Sequence, residues 1–134
     1  MQFRDSQAIY LQIADYVCEK ILLKEWMPEQ RIPSVRELAM QLEVNPNTAL
    51  RAMDFLQSLG ILYNQRGIGY FVSSDAHQHA LRYRRQEFTE KDMPVVFRNM
   101  YLLGMDLDEL KPSFESFKKQ QFNHNNARVN ENEQ

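Results

Sequence analysis

The chain has 134 residues, of which 43% are hydrophobic and 25% charged, a balance that permits one compact domain with an appendage. It holds no run of about 18 uncharged apolar residues and no apolar signal segment at its N-terminus, so we expect a cytoplasmic protein without a membrane partner. The formal net charge is −2, and residues 1–75 hold 7 Lys/Arg against 9 Asp/Glu while residues 76–122 hold 8 against 7. Neither segment is strongly basic, so any affinity for nucleic acid must come from locally clustered cations.

Two helices are predicted in the first third of the chain. Apolar residues recur every four positions over residues 7 to about 24, which predicts an amphipathic helix. Ser34 and Glu37 then have the spacing of a capping box, in which a hydroxyl accepts from one free amide and a carboxylate reaches back to another. A second, short helix is therefore predicted over about 34–42.

A third helix is predicted directly after a tight connection at residues 43–45. Asn45 is suited to be its N-cap, and Pro46 to its first helical position, where a missing amide hydrogen costs nothing. The helix runs to about Leu59 and ends at Gly60. Two short helices joined by so short a turn predict a helix-turn-helix.

The sequence changes its period after this pair of helices. β-Prone runs at residues 61–64 and 70–72 flank a glycine-containing turn at 65–69, which predicts a hairpin. A helix-turn-helix followed by a hairpin is a winged helix, so we assign residues 1–75 to a winged helix-turn-helix DNA-binding domain.

Residues 76–122 have a helical pattern and are predicted to form a short dimerisation unit. Pro94 either kinks one long helix or separates two, and Asp106 with Glu109 fits a capping box for the last helix. The remaining residues, 123–134, are polar and lack periodicity, which predicts a disordered tail. The predicted fold is therefore mainly α with one small β-hairpin.

Five blocks of the winged-helix region occur in a familiar order and spacing, at residues 9–13, 32–39, 44–48, 59–60 and 66–72. They resemble the DNA-binding domain of GntR-family transcription regulators. Too few residues follow the wing for the effector domains of the larger members, so the chain is similar to the YtrA subfamily. This resemblance implies dimerisation through two short C-terminal helices and, often, regulation of a transporter operon.

The third helix is predicted to read DNA bases. Asn47 and Arg51 lie opposite its apolar side on a helical wheel, in the first turns, where a recognition helix enters the major groove. Arginine reads guanine through paired hydrogen bonds, and asparagine reads adenine in the same way. Thr48 either bonds a phosphate or bonds within its own helix.

Other contacts are predicted around this helix. Arg36 matches the family arginine that contacts DNA from the preceding helix, although a solvated arginine paired with a neighbour is the alternative. Arg66 and Gly67 form the wing tip, suited to a narrow minor groove or else simply to a turn. We interpret Ser34 first as a helix cap whose amides also offer a phosphate site. The predicted DNA-contacting set is Ser34, Arg36, Asn45, Asn47, Thr48, Arg51, Arg66 and Gly67.

A homodimer is predicted because one helix-turn-helix contacts too little DNA for useful specificity, and two-fold symmetry doubles the reading of a pseudo-palindrome. The short C-terminal helices also carry more aromatic side chains than they can bury alone. The interface is predicted at Leu81, Phe88, Val96, Phe97, Met100, Leu103, Leu110, Phe114 and Phe117. The sequence does not identify a small-molecule effector.

An enzyme is not predicted, because His77, His79 and His124 have no partners in a catalytic arrangement, and neither a cofactor nor a metal is expected. Cys18 is interpreted as a small buried residue of the first helix. A basic cluster of Arg82, Arg84 and Arg85 either touches phosphates or lies in solvent. A second function also fits the acidic balance, namely a dimeric protein-interaction module with a winged-helix fold that has lost specific DNA contacts.

Overall fold

The computed structural model describes Phe3 and residues 7–122, which fall into two compact units, one through Thr89 and one from Glu90 onward. The predicted fold class, mainly helical with one two-stranded hairpin, is confirmed. The elements in chain order are α1 (Ile9–Leu22), α2 (Val35–Leu42), α3 (Pro46–Ser58), β1 (Leu62–Gln65), β2 (Gly69–Val72), α4 (Ala76–Glu87), a π-helical turn (Phe88–Asp92), α5 (Met93–Leu103) and α6 (Leu107–Gln121).

The core of the first unit is built around α1, which packs against both α3 and α4, while α2 packs on α3. Apolar residues spaced by three or four positions put one side of each helix into this core. Ile13 and Val17 of α1, Leu38 of α2, and Met53 and Leu56 of α3 are fully buried. The helical pattern read from the sequence therefore corresponds to the buried face.

Local caps fix the ends of α2 and α3. The Ser34 hydroxyl accepts from the amide of Glu37 at 3.1 Å, and the Asn45 carboxamide oxygen accepts from the amide of Asn47 at 2.8 Å. Glu43, between the two helices, has a left-handed backbone with φ of 57°. The predicted helix-turn-helix is thus present, with its capping residues in the predicted places.

The wing contains more than the predicted hairpin. β1 and β2 pair antiparallel, with Leu62 opposite Val72 and Gln65 opposite Gly69. The segment 29–32 lies along the other edge of β2, where the amide of Ile32 donates to the carbonyl of Tyr70 at 3.0 Å. Two further bonds join the amide of Glu29 to the carbonyl of Val72 at 2.8 Å and the amide of Val72 to the carbonyl of Gln30 at 3.0 Å. The wing is therefore paired on both edges of β2.

Helix α4 lies within the first unit, whereas its residues belong to the predicted dimerisation unit, 76–122. Arg84 of α4 forms an ion pair of 2.9 Å with Asp15 of α1, and Tyr83 meets Phe55 of α3 edge to face at 5.5 Å. These contacts join α4 to α1 and α3, and the structural boundary follows Thr89 rather than residue 75.

Pro94 is in the first turn of α5, directly after the π-helical turn, and the backbone at Phe88 and Asp92 is helical, so the proline follows a π-helical turn within one uninterrupted helical run. Gly104 ends α5 with a positive φ of 65°, and the predicted capping box of Asp106 and Glu109 starts α6. Pro112 is accommodated inside α6. The tail predicted to be disordered, 123–134, lies outside the described residues.

Candidate nucleic-acid interface

The two sides of α3 differ as the helical wheel predicts. Ala49, Met53 and Leu56 are fully buried, whereas Asn47 and Arg51 are exposed. The helix is amphipathic in the sense required of a recognition helix, because its polar side is left free of the core. Thr48 lies between the two sides and is half-buried.

The capping side chains near this face are hydrogen-bonded to main-chain amides of their own helices. Ser34 is half-buried, and its hydroxyl also lies 3.2 Å from a carboxylate oxygen of Glu37. Asn45 is exposed, with its carboxamide oxygen bound to the amide of Asn47. Both side chains therefore stabilise the starts of α2 and α3, where unpaired amide groups favour a nearby anion.

Arg36 is exposed on α2 at the edge of a shallow surface depression of about 430 Å³ beside the turn of the helix-turn-helix. Its neighbours around the depression are Ala39, Met40, Glu43, Val44 and Pro46. The position keeps the Arg36 guanidinium on the surface and close to the start of α3.

At the wing tip, Arg66 and Gly67 are both exposed. Gly67 has φ of +81°, which a residue with a side chain rarely adopts, and a Cβ built there would meet nothing within 4 Å. The tip is thus a tight turn with open space around it, beside an arginine.

Arg31, an exposed cation on the wing, is not among the predicted contact residues. A Cβ built on Gly69 would approach the Nε atom of Arg31 to 3.2 Å, so the arginine lies across the start of β2 where glycine leaves room. The only signal in the sequence is a cation next to the 32–39 block. The pairing of 29–32 with β2, which places Arg31 on the wing, leaves no periodic trace.

Arg51 has an unforeseen partner. Its guanidinium carbon lies 3.9 Å from the centre of the Tyr10 ring, a cation–π contact between α3 and α1. The Tyr10 ring in turn meets Phe55 edge to face at 6.0 Å. The arginine predicted to read bases is therefore exposed and also held by an aromatic side chain.

The basic cluster of α4 is divided between two environments. Arg82 and Arg85 are exposed, but Arg84 pairs with Asp15, whose side chain is only 14% exposed. Arg84 is thus committed to a structural ion pair, which neither interpretation of the cluster anticipated.

Two other groups with potential reactivity, a thiol and an imidazole, lie in the first unit. Cys18 is completely buried, and this burial, helped by the negative charge of Asp15, raises the pKa of its thiol to about 12. His79 pairs with Asp75 at 2.9 Å. Among the described residues, no cluster of three histidine, cysteine or acidic side chains is placed to hold a metal ion.

The residues predicted for the dimer interface are mostly uncovered. Leu81 and Phe88 are 40% and 51% exposed in the first unit. In the second unit, Met100 is buried and Leu110 is half-buried. The other predicted interface residues are exposed, namely Val96, Phe97, Leu103, Phe114 and Phe117.

Comparison with known proteins agrees with this geometry. The sequence pattern of "Bacterial regulatory proteins, gntR family" matches residues 9–72. YhcF of Bacillus subtilis, an uncharacterized HTH-type transcriptional regulator, is 34% identical over 116 residues, covering 87% of this chain and 94% of YhcF. The transcriptional repressor YtrA of the same organism is 31% identical over 107 residues, covering 80% of this chain and 82% of YtrA.

A solved structure shares the fold over most of its length. The crystal structure of a putative GntR-family regulator from Bacteroides thetaiotaomicron is 42% identical, with a TM-score of 0.65, and the match covers 85% of this chain and 99% of that one. In the part of the chain that the structure describes, no helix combines the length and apolarity needed to cross a membrane. The chain belongs to the GntR family of bacterial regulatory proteins and resembles YtrA, so it is a DNA-binding transcription regulator with a winged helix-turn-helix, and not an enzyme.

Proposed function

We propose that the chain is a sequence-specific repressor that binds a pseudo-palindromic operator as a homodimer. The observation that carries this proposal is the outward side of α3, where Asn47 and Arg51 are exposed while the opposite side fills the core. Both side chain types make paired hydrogen bonds to base edges in the major groove, arginine with guanine and asparagine with adenine.

Contacts to the DNA backbone are assigned to the surroundings of α3. Arg36 is an exposed cation on α2, and Arg66 and Arg31 are exposed cations on the wing. Ser34, Asn45, Thr48 and Gly67 complete the proposed contact region through helix starts, a hydroxyl and the open wing turn. Because these cations are few, we expect modest affinity, with a salt dependence below that of about eight phosphate contacts.

Dimerisation is assigned to the second unit together with exposed residues of α4 and the π-helical turn. Leu103 is 72% exposed, Phe114 is 59% exposed and Phe117 is 50% exposed. Large apolar side chains grouped on short helices mark a surface that another protein covers. A second copy of the chain is the proposed cover, because a two-fold pair presents two recognition helices to the two halves of a pseudo-palindrome.

The regulatory role is proposed from similarity. The relative YtrA is named a transcriptional repressor, and it aligns over most of both chains. Repression of a transporter operon is the role that the resemblance to this subfamily implies, and chromosomal DNA as the partner places the protein in the cytoplasm.

The test is fluorescence anisotropy with a labelled duplex from the region upstream of the chain's own gene and a scrambled duplex of equal composition. We expect preferential binding to the upstream duplex. Arg51→Ala is expected to weaken this binding by about fivefold to a hundredfold, as for the loss of one paired base contact.

Arg85→Ala serves as the matched control, because it removes one exposed arginine from α4 and leaves α3 intact. It is expected to change affinity less than twofold. Equal affinity of the wild-type protein for both duplexes would contradict the proposal and favour a protein-interaction module. If the two arginine substitutions lowered the affinity equally, Arg51 would contribute only its positive charge and would not read a base.

A further inference from the structure

We infer that Tyr10 of α1 is a positioning residue that orients the Arg51 guanidinium for base reading, an inference that rests on the proposed function. The guanidinium carbon lies 3.9 Å from the centre of the Tyr10 ring. At this distance the two groups are in contact, and arginine favours contact with an aromatic ring through the flat face of its guanidinium.

This contact leaves the chemistry of base recognition available. The five N–H donors of arginine lie in the plane of the guanidinium, and paired hydrogen bonds to guanine are made within that plane. A ring on the face of the group occupies none of them. Arginine therefore stacks on an aromatic ring and reads a base at the same time, which lysine does not do.

The Tyr10 ring is itself held in place. Phe55 meets it edge to face at 6.0 Å, and Tyr83 of α4 meets Phe55 at 5.5 Å. Tyr10 and Phe55 are half-buried and pack against the core of the first unit. A ring fixed on the core restricts the rotamers of the exposed arginine, so less side-chain entropy is lost when DNA binds.

The experiment is a double-mutant cycle with full-length wild type, Tyr10→Leu, Arg51→Ala and the double variant. The probe is a labelled duplex that the wild-type protein selects from a randomised pool, with its scrambled form as the non-specific control. We expect Tyr10→Leu to weaken binding to the selected duplex by about twofold to fivefold and to leave the scrambled duplex unaffected. In the Arg51→Ala background the same change is expected to have no effect.

Tyr10→Phe is the matched control, because it keeps the ring face and is expected to bind like wild type. Equal losses from Tyr10→Leu in both backgrounds, equal losses from Tyr10→Phe, or tighter binding by Tyr10→Leu would each overturn the inference. If wild type itself fails to distinguish selected from scrambled DNA, the proposed function fails and the inference falls with it.

A second measurement is independent of whether Tyr10→Leu folds. In the NMR spectrum of the wild-type protein, the ring current of Tyr10 is expected to shift the side-chain protons of Arg51 upfield. That shift is expected to persist when the selected duplex is added. Its disappearance on binding would mean that the arginine must leave the ring to reach DNA, and would overturn the positioning role.

Discussion

The region through Thr89 and the region from Glu90 onward differ in how far their apolar side chains are buried. In the first, side chains such as Met53 and Leu56 have no exposed surface. Of the residues described in the second, only Met100 is buried, and Leu103 is 72% exposed. Both regions form helices, with capped starts at α2 and α3 in the first and at α6 in the second, but only the first closes a core with its own residues. Local signals are therefore enough to make helices, whereas burial needs a partner surface.

The largest effect should come from removing a core side chain of the first region. Leu56→Ala is expected to lower the free energy of unfolding by about 2–5 kcal/mol, because it removes buried methyl groups and leaves a cavity. Leu102→Ala, the same change at a site 64% exposed in the second region, is expected to cost less than about 0.5 kcal/mol. Guanidinium unfolding followed by Trp26 fluorescence and by circular dichroism measures both. Similar costs at the two sites would break the comparison.

The next largest effect is expected from the proposed dimer interface of the second region. Phe114→Asp with Phe117→Asp is expected to produce a monomer in sedimentation and to weaken operator binding by about a hundredfold, because linkage of two half-site contacts is lost. Ser116→Asp with Lys119→Gln gives the same charge change on the other side of α6 and is expected to leave the dimer intact. A dimer in the phenylalanine variant would remove the proposed role of this surface.

A smaller effect tests whether α4 belongs with the first region. Arg84→Ala is expected to destabilise the protein by about 1–3 kcal/mol, because it leaves the largely buried carboxylate of Asp15 without its ion-pair partner. Arg85→Ala, at the exposed neighbouring position, is expected to change stability by less than about 0.5 kcal/mol. Thermal unfolding compares the two, and equal values would show that the ion pair does not anchor α4.

The smallest effect is a pH dependence within the first region. Folding raises the pKa of the Cys18 thiol from 9.0 to about 12, so its contribution to stability is fully present below pH 9 and is lost as the pH rises toward 12. Between pH 8 and pH 10 the loss is expected to be about 1 kcal/mol. Cys18→Ala should lack this component, and denaturant unfolding at the two pH values measures the difference. Identical pH slopes in both proteins would show that burial does not hold the thiol protonated.

The predictable parts of the fold are those whose signals act within a few residues. Ser34 and Asn45 cap helices through bonds to amides two or three positions away, so their sequence neighbours were enough to place α2 and α3. The inner and outer sides of α3 follow from helix period alone. The predicted base contacts of Asn47 and Arg51 stay predictions, although both side chains are exposed as such contacts require.

The unpredicted parts depend on residues that are distant along the chain. Arg84 meets Asp15, Arg51 meets Tyr10, and the segment 29–32 pairs with β2. None of these contacts produces a periodic pattern, since each depends on how separate elements pack. For that reason the sequence did not predict the contacts of α4 with α1 and α3, or the position of Arg31 on the wing.

The extra pairing of β2 has a consequence for motion. Because main-chain hydrogen bonds hold both edges of β2, we expect the wing to be a rigid hairpin and not a flexible loop. Amide hydrogens at the base of the wing, such as those of Ile32 and Val72, should exchange slowly with solvent, while those around Gly67 in the turn should exchange fast. In the proposed DNA complex, a wing that is already rigid would lose little conformational entropy on binding, and only the residues around Gly67 would have to adapt to the groove.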